Sequence, residues 1–574
     1  MNSVEINSII VRSLNHLRRT HLPSYIGLRR LLNSTSSDNI ESWLPKYIIN
    51  KSISSREQSY IKFKLFKGIR DEEPIYRECY APSPTSALME AFVLSLMSKF
   101  AVFKNTKNSY SYLWPESEKS GYSYQYFFDG YRRREKDIEQ AILSNNNSVV
   151  YITDIRSFYP SIPKEILIKR FNQLVEQEGG DDYSKRMLTN TGHCLISGEC
   201  AGIPIGSSLG HAMANIVLRE LDIQFEHKND ISYFRYVDDI ALVGNKASIE
   251  NSINVISKYL DKYGLTLHSG KTEIIEGEKW VKSKRFYREL TEIGFEEWKQ
   301  NLLFILAYSG IEFNRFKDIL RSNDFNLPCW QFRSLIKYNR FCAFLKKFEY
   351  RFYNKKLKFP SLSDTIKEGS WIRDKAFQNL NIILSQPNTE SNNELNIRNQ
   401  AIKFLISRLI YLSPYERYGE LISYIEGISE FKNIEVLIKS LLDGDVSEIM
   451  TYPGQTVNSF CQIFKDLNDG KKCIIKNIDD DASASSLHSM IIYGLVDYED
   501  ITKTNMNEND KHLARICAGQ HKHEKSFDFK YLNEMNTLLL SSNQISNEDI
   551  INSRFSDGEE VVLDATLLDS LNSY

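Results

Sequence analysis

No Cys-x-x-Cys pair occurs among the eight cysteines, which stand singly at 79, 194, 200, 329, 342, 461, 473 and 517 of a 574-residue chain. That scatter excludes a disulfide framework and predicts reduced thiols in a cytoplasmic protein. His521 and His523 near Cys517 offer one zinc reading, and a solvated loop explains them as well. Long hydrophobic runs are also missing. The N-terminal segment is broken by Arg12, His16, Arg18 and Arg19, and no apolar stretch reaches membrane-spanning length, so neither a signal peptide nor a membrane partner is expected. Net charge is close to absent, at −2, which excludes a protein that coats nucleic acid by bulk charge; any such contact must come from local basic surface. The chain does have 42% hydrophobic residues and 32 tyrosines, enough for a large core divided into more than one domain.

The stretch Tyr236-Val237-Asp238-Asp239 lies between Ile231-Ser-Tyr-Phe-Arg235 and Ile240-Ala-Leu-Val-Gly244. The flanks are β-branched, aromatic or alternating, so they predict two strands with adjacent carboxylates at the turn. Two like charges side by side repel unless a cation lies between them, and hard divalent ions prefer carboxylate oxygens. The stretch reads as half of a metal site for phosphoryl or nucleotidyl transfer, with a polar hairpin turn as the plainer alternative.

Upstream, 4–22 and 86–103 carry apolar residues at helical spacing, and 33–42 is rich in Ser and Asn. In Tyr122-Ser-Tyr-Gln-Tyr-Phe-Phe-Asp-Gly-Tyr-Arg-Arg-Arg134 tyrosines lead into three arginines. Guanidinium forks suit phosphate and aromatic faces suit bases, while a core strand followed by a basic turn fits equally. Residues 148–153 read as a buried strand ending at Asp154, followed by a helix with Pro163 near its first turn and Gly179-Gly180 at its end. An Asp in that position suits a metal ligand or a helix cap. Gly202-Ile-Pro-Ile-Gly-Ser-Ser-Leu-Gly210 feeds a helix over 211–225, whose N-terminal amides would receive a phosphate or template strand, or form an ordinary N-cap.

After the hairpin come a helix over 247–263, a short strand over 265–268 and then Lys271. This order predicts an α+β fold with helices on one face of a small sheet. Beyond about residue 290 strand signals fade. Segments 301–320, 331–353, 367–384, 394–412 and 419–442 have helical spacing and resemble a HEAT-like helical array. Within it, Lys346-Lys-Phe-Glu-Tyr-Arg-Phe-Tyr-Asn-Lys-Lys-Leu-Lys358 interleaves basic and aromatic residues, as a single-strand track or a lysine-rich solvent face would. The tail, with Asp479-Asp-Asp481 and Glu559-Glu560, reads as acidic and solvated.

Asp154 and Asp238, on separate strands with a Gly loop between them and Lys271 after them, meet the demand of two-metal catalysis for converging carboxylates. In this order the sequence resembles reverse transcriptases. Asp154-Ile-Arg-Ser-Phe-Tyr159 matches their motif A, Gly202-Ile-Pro-Ile-Gly206 with Asn215 motif B, Tyr236-Val-Asp-Asp239 motif C and Gly270-Lys271-Thr272 motif D. The resemblance implies fingers and palm over 1–290, with a motif core over 120–275, and an α-helical repeat domain over 291–574 in place of a thumb.

It also implies Asp154, Asp238 and Asp239 as the catalytic carboxylates and ligands of Mg²⁺, or Mn²⁺ in its stead, with dNTPs as substrates. Tyr159 would sit against the sugar and exclude a 2′-hydroxyl; Lys271 would approach the phosphates, and Gly206, Arg132, Arg133 and Arg134 would also contact the nucleotide. Pro204-Ile205-Gly206 lacks the Gln that most members carry, which points away from ordinary template-directed copying. A polymerase core followed directly by helices resembles the bacterial abortive-infection and defence-associated members. That resemblance implies an antiphage enzyme, a homo-oligomer, and product DNA attached covalently to one of the chain's own tyrosines. The alternatives are copying of a partner noncoding RNA and an inactive binding scaffold; three retained carboxylates count against the scaffold.

Overall fold

The computed structural model describes residues 2–559, apart from 36, 55–58, 146, 179–180, 197–201, 336–358, 388–390, 469–470, 476–480, 502–505, 521–528, 543–544 and 557. Three helices, α1 (Ser3–Thr20), α2 (Leu22–Asn33) and α3 (Ser37–Ser54), precede a two-stranded ribbon of β1 (Tyr60–Arg70) and β2 (Glu73–Pro82) and helix α4 (Pro84–Met97). Then follow α5 (Phe127–Leu143), β3 (Val149–Asp154), α6 (Phe158–Ser161), α7 (Lys164–Gln177), α8 (Asp182–Ile196) and α9 (Ser208–Glu226). The hairpin of β4 (Ile231–Tyr236) and β5 (Asp239–Gly244) leads to α10 (Lys246–Asp261), β6 (Glu273–Glu276), α11 (Gly277–Thr291), α12 (Phe295–Tyr308) and α13 (Phe313–Ser322).

The central sheet has the order β4-β5-β3-β6, all antiparallel. β3 and β5 run in a register that pairs Asp154 with Asp239, and Tyr236 pairs with Asp239 across the hairpin. Side chains alternate along β4. Tyr233 stacks on Phe225 of α9 and Arg235 reaches Asp222 of α9, whereas Tyr236 packs edge-on against Tyr131 of α5. Helices therefore cover both faces at β4, in place of the single covered face expected from the order of elements. The strand expected over 265–268 survives only as a bridge between Ile155 and Leu267, and the fourth strand is β6.

The β1–β2 ribbon, absent from the sequence reading, stands apart from this sheet. It turns through Asp71 and Glu72, both with positive φ (51° and 65°), and its outer part is gripped by the C-terminal half: Phe66 N donates to Pro453 O at 2.9 Å and the Tyr76 hydroxyl to Thr451 O at 2.9 Å.

Beyond α11 the named elements among the described residues are α-helices and short 3-10 segments. The segment expected as one helix over 301–320 is two, α12 and α13, parted at Gly310 with φ 79°. Long helices Leu362–Leu384 and Asn392–Leu412 pack on each other and on α11. The start of the second is fixed to the sheet, where Glu273 accepts from the Ser391 hydroxyl at 2.7 Å and Asn393 N at 2.9 Å. Helix α2 also interlocks with residue 559. Glu559, expected to be solvated, is 1% exposed and receives the Tyr25 hydroxyl at 2.6 Å and Arg29 at 3.0 Å, because a buried carboxylate persists only when paired. The basic-aromatic stretch 346–358, His521, His523, Asp479, Asp480 and Glu560 lie outside the described residues. Among the described residues no helix is long and apolar enough to cross a membrane.

Candidate active site

The Tyr236-Val-Asp-Asp239 hairpin turns through Val237 and Asp238, and Val237 takes φ 55°. A β-branched residue in the left-handed region costs about 1–3 kcal/mol and needs its surroundings to hold it there. Ser111 Oγ accepts from Val237 N at 2.9 Å, and Arg235 donates to Val237 O at 2.9 Å. Arg235 is fully buried and spends all five guanidinium N–H groups. Two go to the Asp222 carboxylate at 2.8 and 2.7 Å, and the others to Asn215 Oδ1 at 3.1 Å, Val237 O and Ser109 Oγ at 3.1 Å. Asn215, the motif B asparagine, thus acts here as a strut between α9 and the hairpin.

The hairpin brings the three candidate carboxylates together. Ile155 N donates to Asp238 O at 3.2 Å and His268 N to Asp154 O at 2.7 Å, so the loop after α10 runs alongside the end of β3. That loop delivers Lys271, whose ammonium contacts Asp154 Oδ2 at 2.5 Å. Burial, then the charges of Asp239 and Asp154, push the Asp238 carboxyl well above the usual range. Asp239 is pushed up to about 6 by burial, with Arg134 and Lys271 pulling it down and Asp154 and Glu135 pushing it up. Burial works against the Lys271 charge, but contact with Asp154 and the charges of all three aspartates hold its pKa above normal.

Such a cluster has more negative charge than its protein partners balance, and its donors are the hard oxygens that Mg²⁺ takes. The residues fit a divalent cation on that chemistry. Among the described residues no three donors are already gathered around a common point; Lys271 supplies positive charge at Asp154 and Arg134 acts on Asp239.

The motif B loop packs on the motif A turn. Ile203 N donates to Tyr159 O at 2.9 Å, and a Cβ on Gly202 would lie 2.4 Å from that oxygen, so only glycine fits. Tyr159 is buried, its hydroxyl 2.8 Å from His211 Nδ1. Burial depresses the His211 pKa well below normal, so the ring is neutral and stacks face to face on Tyr112 at 3.8 Å. Gly206 takes φ 98°, is buried beside Tyr80 and accepts from His16 at 3.0 Å.

The phosphate seat expected at the start of α9 is already filled. Glu90 of α4 accepts from the Ser207 hydroxyl at 2.7 Å and Leu209 N at 3.3 Å, and it sits where the helix N-terminus favours an anion. The N-cap alternative is the one observed: Ser207 Oγ accepts from Gly210 N at 3.2 Å.

The Tyr122–Arg134 stretch is not a strand and turn: its residues from Phe127 onward open helix α5, and Tyr122 to Tyr126 lead into it. Within α5, Arg134 is buried and acts on Asp239 through its charge, whereas Arg132 and Arg133 are exposed. Two cations missed by the sequence reading lie on the ribbon. Burial first, then the charges of Arg77 and Lys271, lower the Lys67 pKa, and Asp154 raises it, which places Lys67 in the electrostatic reach of the cluster with Arg77 beside it on the ribbon.

Residues 102–302 match the family model described as reverse transcriptase (RNA-dependent DNA polymerase). The matched segment is a reverse transcriptase domain. The chain is accordingly a nucleotidyltransferase of the RNA-directed DNA polymerase kind. Among solved structures the chain is similar to telomerase from Candida albicans in complex with a TWJ fragment of telomeric RNA, at 13% identity, 70% coverage of each chain and a TM-score of 0.29. It is also similar to apo telomerase from Candida tropicalis, at 13% identity, 67% coverage of this chain, 71% of that one and a TM-score of 0.28. No curated protein matches. The reverse transcriptase domain spans α5 and β3 to β6, and it includes Asp154, Asp238, Asp239 and Lys271.

Proposed function

We propose that the chain polymerises deoxynucleotides at Asp154, Asp238 and Asp239 with Mg²⁺, primes synthesis from one of its own tyrosines without a nucleic-acid template, and serves antiphage defence. The observation that carries the site is the register pairing Asp154 with Asp239, with Asp238 at the adjoining turn. The three aspartates would hold the divalent ions, which supply charge neutralisation at the phosphates and an activated hydroxyl when bound. Lys271, paired with Asp154 here, would approach the phosphates of the nucleotide. Lys67 and Arg77 add positive charge on the ribbon side. Pro204-Ile205-Gly206, without the usual Gln, supports template independence. The helices after residue 291 stand in for a thumb in this reading, as a helical-repeat array in a homo-oligomer.

The test is to incubate the purified chain with Mg²⁺ and each labelled dNTP, adding neither template nor primer, and to run a denaturing protein gel with and without nuclease and protease. Label that stays with the protein until nuclease or protease is added is the expected result. Label that appears only when RNA and a primer are supplied would replace self-priming by RNA-templated copying. No label under any condition would leave a scaffold.

Tyr159 contributes its ring to the sugar side of the site in this reading, with His211 fixing the hydroxyl. Tyr159→Ala is expected to raise ribonucleotide incorporation relative to deoxynucleotide by at least about tenfold, equivalent to about 1.4 kcal/mol. The check is the ratio of kcat/KM for matched rNTP and dNTP; an unchanged ratio would remove Tyr159 from the role.

A further inference from the structure

The β1–β2 ribbon pairs with no other strand among the described residues, and a two-stranded ribbon alone is marginally stable, so its course is set by what touches its sides. Its base is tied to the motif B loop, where Tyr80 N donates to Ile205 O at 2.7 Å. Its outer half is held by the turn at residues 451–454, which joins a 3-10 segment (Ile449–Thr451) to the helix Gln455–Leu467. Besides the two hydrogen bonds that end at Pro453 O and Thr451 O, the Phe66 ring meets Tyr452 edge-on at 4.9 Å. Gly454 takes φ 109°, and a Cβ there would lie 2.9 Å from Leu65 Cδ2, so the turn lies flush against the ribbon. The helix Asp481–Ile492 braces both partners: Ser486 donates to Met450 O at 2.7 Å, and Ser485 Oγ accepts from Lys64 N at 3.3 Å.

Lys67 sits inside this grip. The register of the ribbon pairs Phe66 with Tyr76 and Gly68 with Ile75, which leaves Lys67 as the extra residue of a β-bulge, opposite no residue of β2. A bulge re-aims the side chain it carries, and here the cross-strand ladder does not fix that aim. Its neighbour Phe66 does, through its N–H on Pro453 and its ring on Tyr452. Lys67 is exposed and makes no ion pair among the described residues, while its charge lies in the field of Lys271 and Asp154. An ammonium so placed suits an anion that arrives at the carboxylates together with its cations, as a nucleoside triphosphate does. A lysine on a loose bulge would lose backbone freedom on making that contact; the turn has already removed it.

We propose that Tyr452, with the turn around it, is a positioning residue for nucleotide binding: it fixes the bulge that aims Lys67 at the phosphates of a nucleoside triphosphate held at the carboxylates. The C-terminal half thus sets nucleotide affinity from outside the reverse transcriptase domain. The inference rests on the nucleotidyl-transfer reading for its ligand, and Tyr452 acts only through Lys67.

The test measures, for the full chain with Mg²⁺, the dissociation constant of each dNTP and the KM and kcat of its incorporation. Tyr452→Ala is expected to raise Kd and KM about fivefold with kcat changed less than about twofold, the mark of a contact made equally in ground and transition states. Tyr452→Phe, which keeps the ring, is expected to match the parent. Lys67→Gln is expected to raise Kd and KM about tenfold, and Tyr452→Ala added to it to raise them no further. Thermal unfolding of each variant separates lost binding from lost structure. Should Tyr452→Ala fail to fold, Tyr76→Phe, which removes only the hydroxyl on Thr451 O, takes its place with the same expectation. Kd and KM equal to the parent's in Tyr452→Ala would overturn the proposal. So would a full Tyr452→Ala effect on top of Lys67→Gln, because the ring would then act on the fold and not on Lys67. Tyr452-dependent binding by a chain that incorporates no nucleotide would sustain the positioning and sink the polymerase reading, and incorporation with no Tyr452 dependence would do the reverse. A parent that neither binds nor incorporates dNTP would overturn both.

Discussion

Arg235→Met is expected to lower the free energy of unfolding by about 3–5 kcal/mol, because it leaves the Asp222 carboxylate buried without its partner. Asp222 is 1% exposed, and beyond Arg235 it has the Thr106 hydroxyl at 3.0 Å and the Tyr233 hydroxyl at 3.2 Å, neither of which carries a charge. Burial works against the Arg235 charge, yet Asp222 holds the guanidinium pKa above normal, so Arg235 keeps its charge in the interior. The same substitution releases Val237 O and Asn215, which loosens a turn already holding a β-branched residue at φ 55°. Urea unfolding of the single variant and of Arg235→Met with Asp222→Leu checks the argument. The double variant should recover most of the loss, since it removes both charges. Equal losses in the two would mean that packing, and not the buried charge, sets the effect.

Asp238→Asn together with Asp239→Asn is expected to stabilise the metal-free protein at neutral pH. A carboxyl whose folded pKa is raised disfavours folding above its unfolded value. For Asp239, raised from 3.8 to about 6, that cost grows as pH rises from about 4 to about 6 and is then constant. Asp238 shifts in the same direction for the same reasons, burial first and then Asp239 and Asp154. The double variant should therefore unfold at a higher temperature than the parent at pH 7, by a margin that shrinks as pH falls toward 4. Divalent cation should raise the parent's unfolding temperature and leave the variant's unchanged. A variant less stable than the parent at pH 7 would mean that the carboxylates are already balanced by groups other than a cation.

The hairpin, β3 and α9 were legible because each carries its own local signal. β-branched and aromatic runs bound the carboxylates, and Gly202 is forced by an approach that leaves 2.4 Å for a Cβ. The β1–β2 ribbon has the alternation of a strand in Ile61-Lys-Phe-Lys-Leu65, yet its turn places Glu72, at φ 65°, where Gly usually follows an Asp such as Asp71. Helix α5 buries Gly130, Arg134, Ile138 and Ile142, a stripe at fourfold spacing whose first two members are not apolar, so hydrophobic periodicity could not find it. In the site, the three aspartates and Lys271 came from ordered motifs, and the structure brings them together. Arg132 and Arg133 were grouped with Arg134 by adjacency alone; on a helix adjacent residues face different ways, and only Arg134 turns inward. Glu90, Lys67 and Arg77 reach their places through the packing of α4 and the ribbon, contacts between distant segments that no local pattern encodes.

The most direct test of the central claim compares nucleotide incorporation by the parent chain and by the Asp238→Asn, Asp239→Asn variant, with Mg²⁺ and labelled dNTPs, in the presence and absence of RNA template and primer. The account predicts incorporation by the parent, and none by a variant whose unfolding temperature shows it to be folded. Equal incorporation by the two would contradict it, because the chemistry would then lie elsewhere than at the paired aspartates.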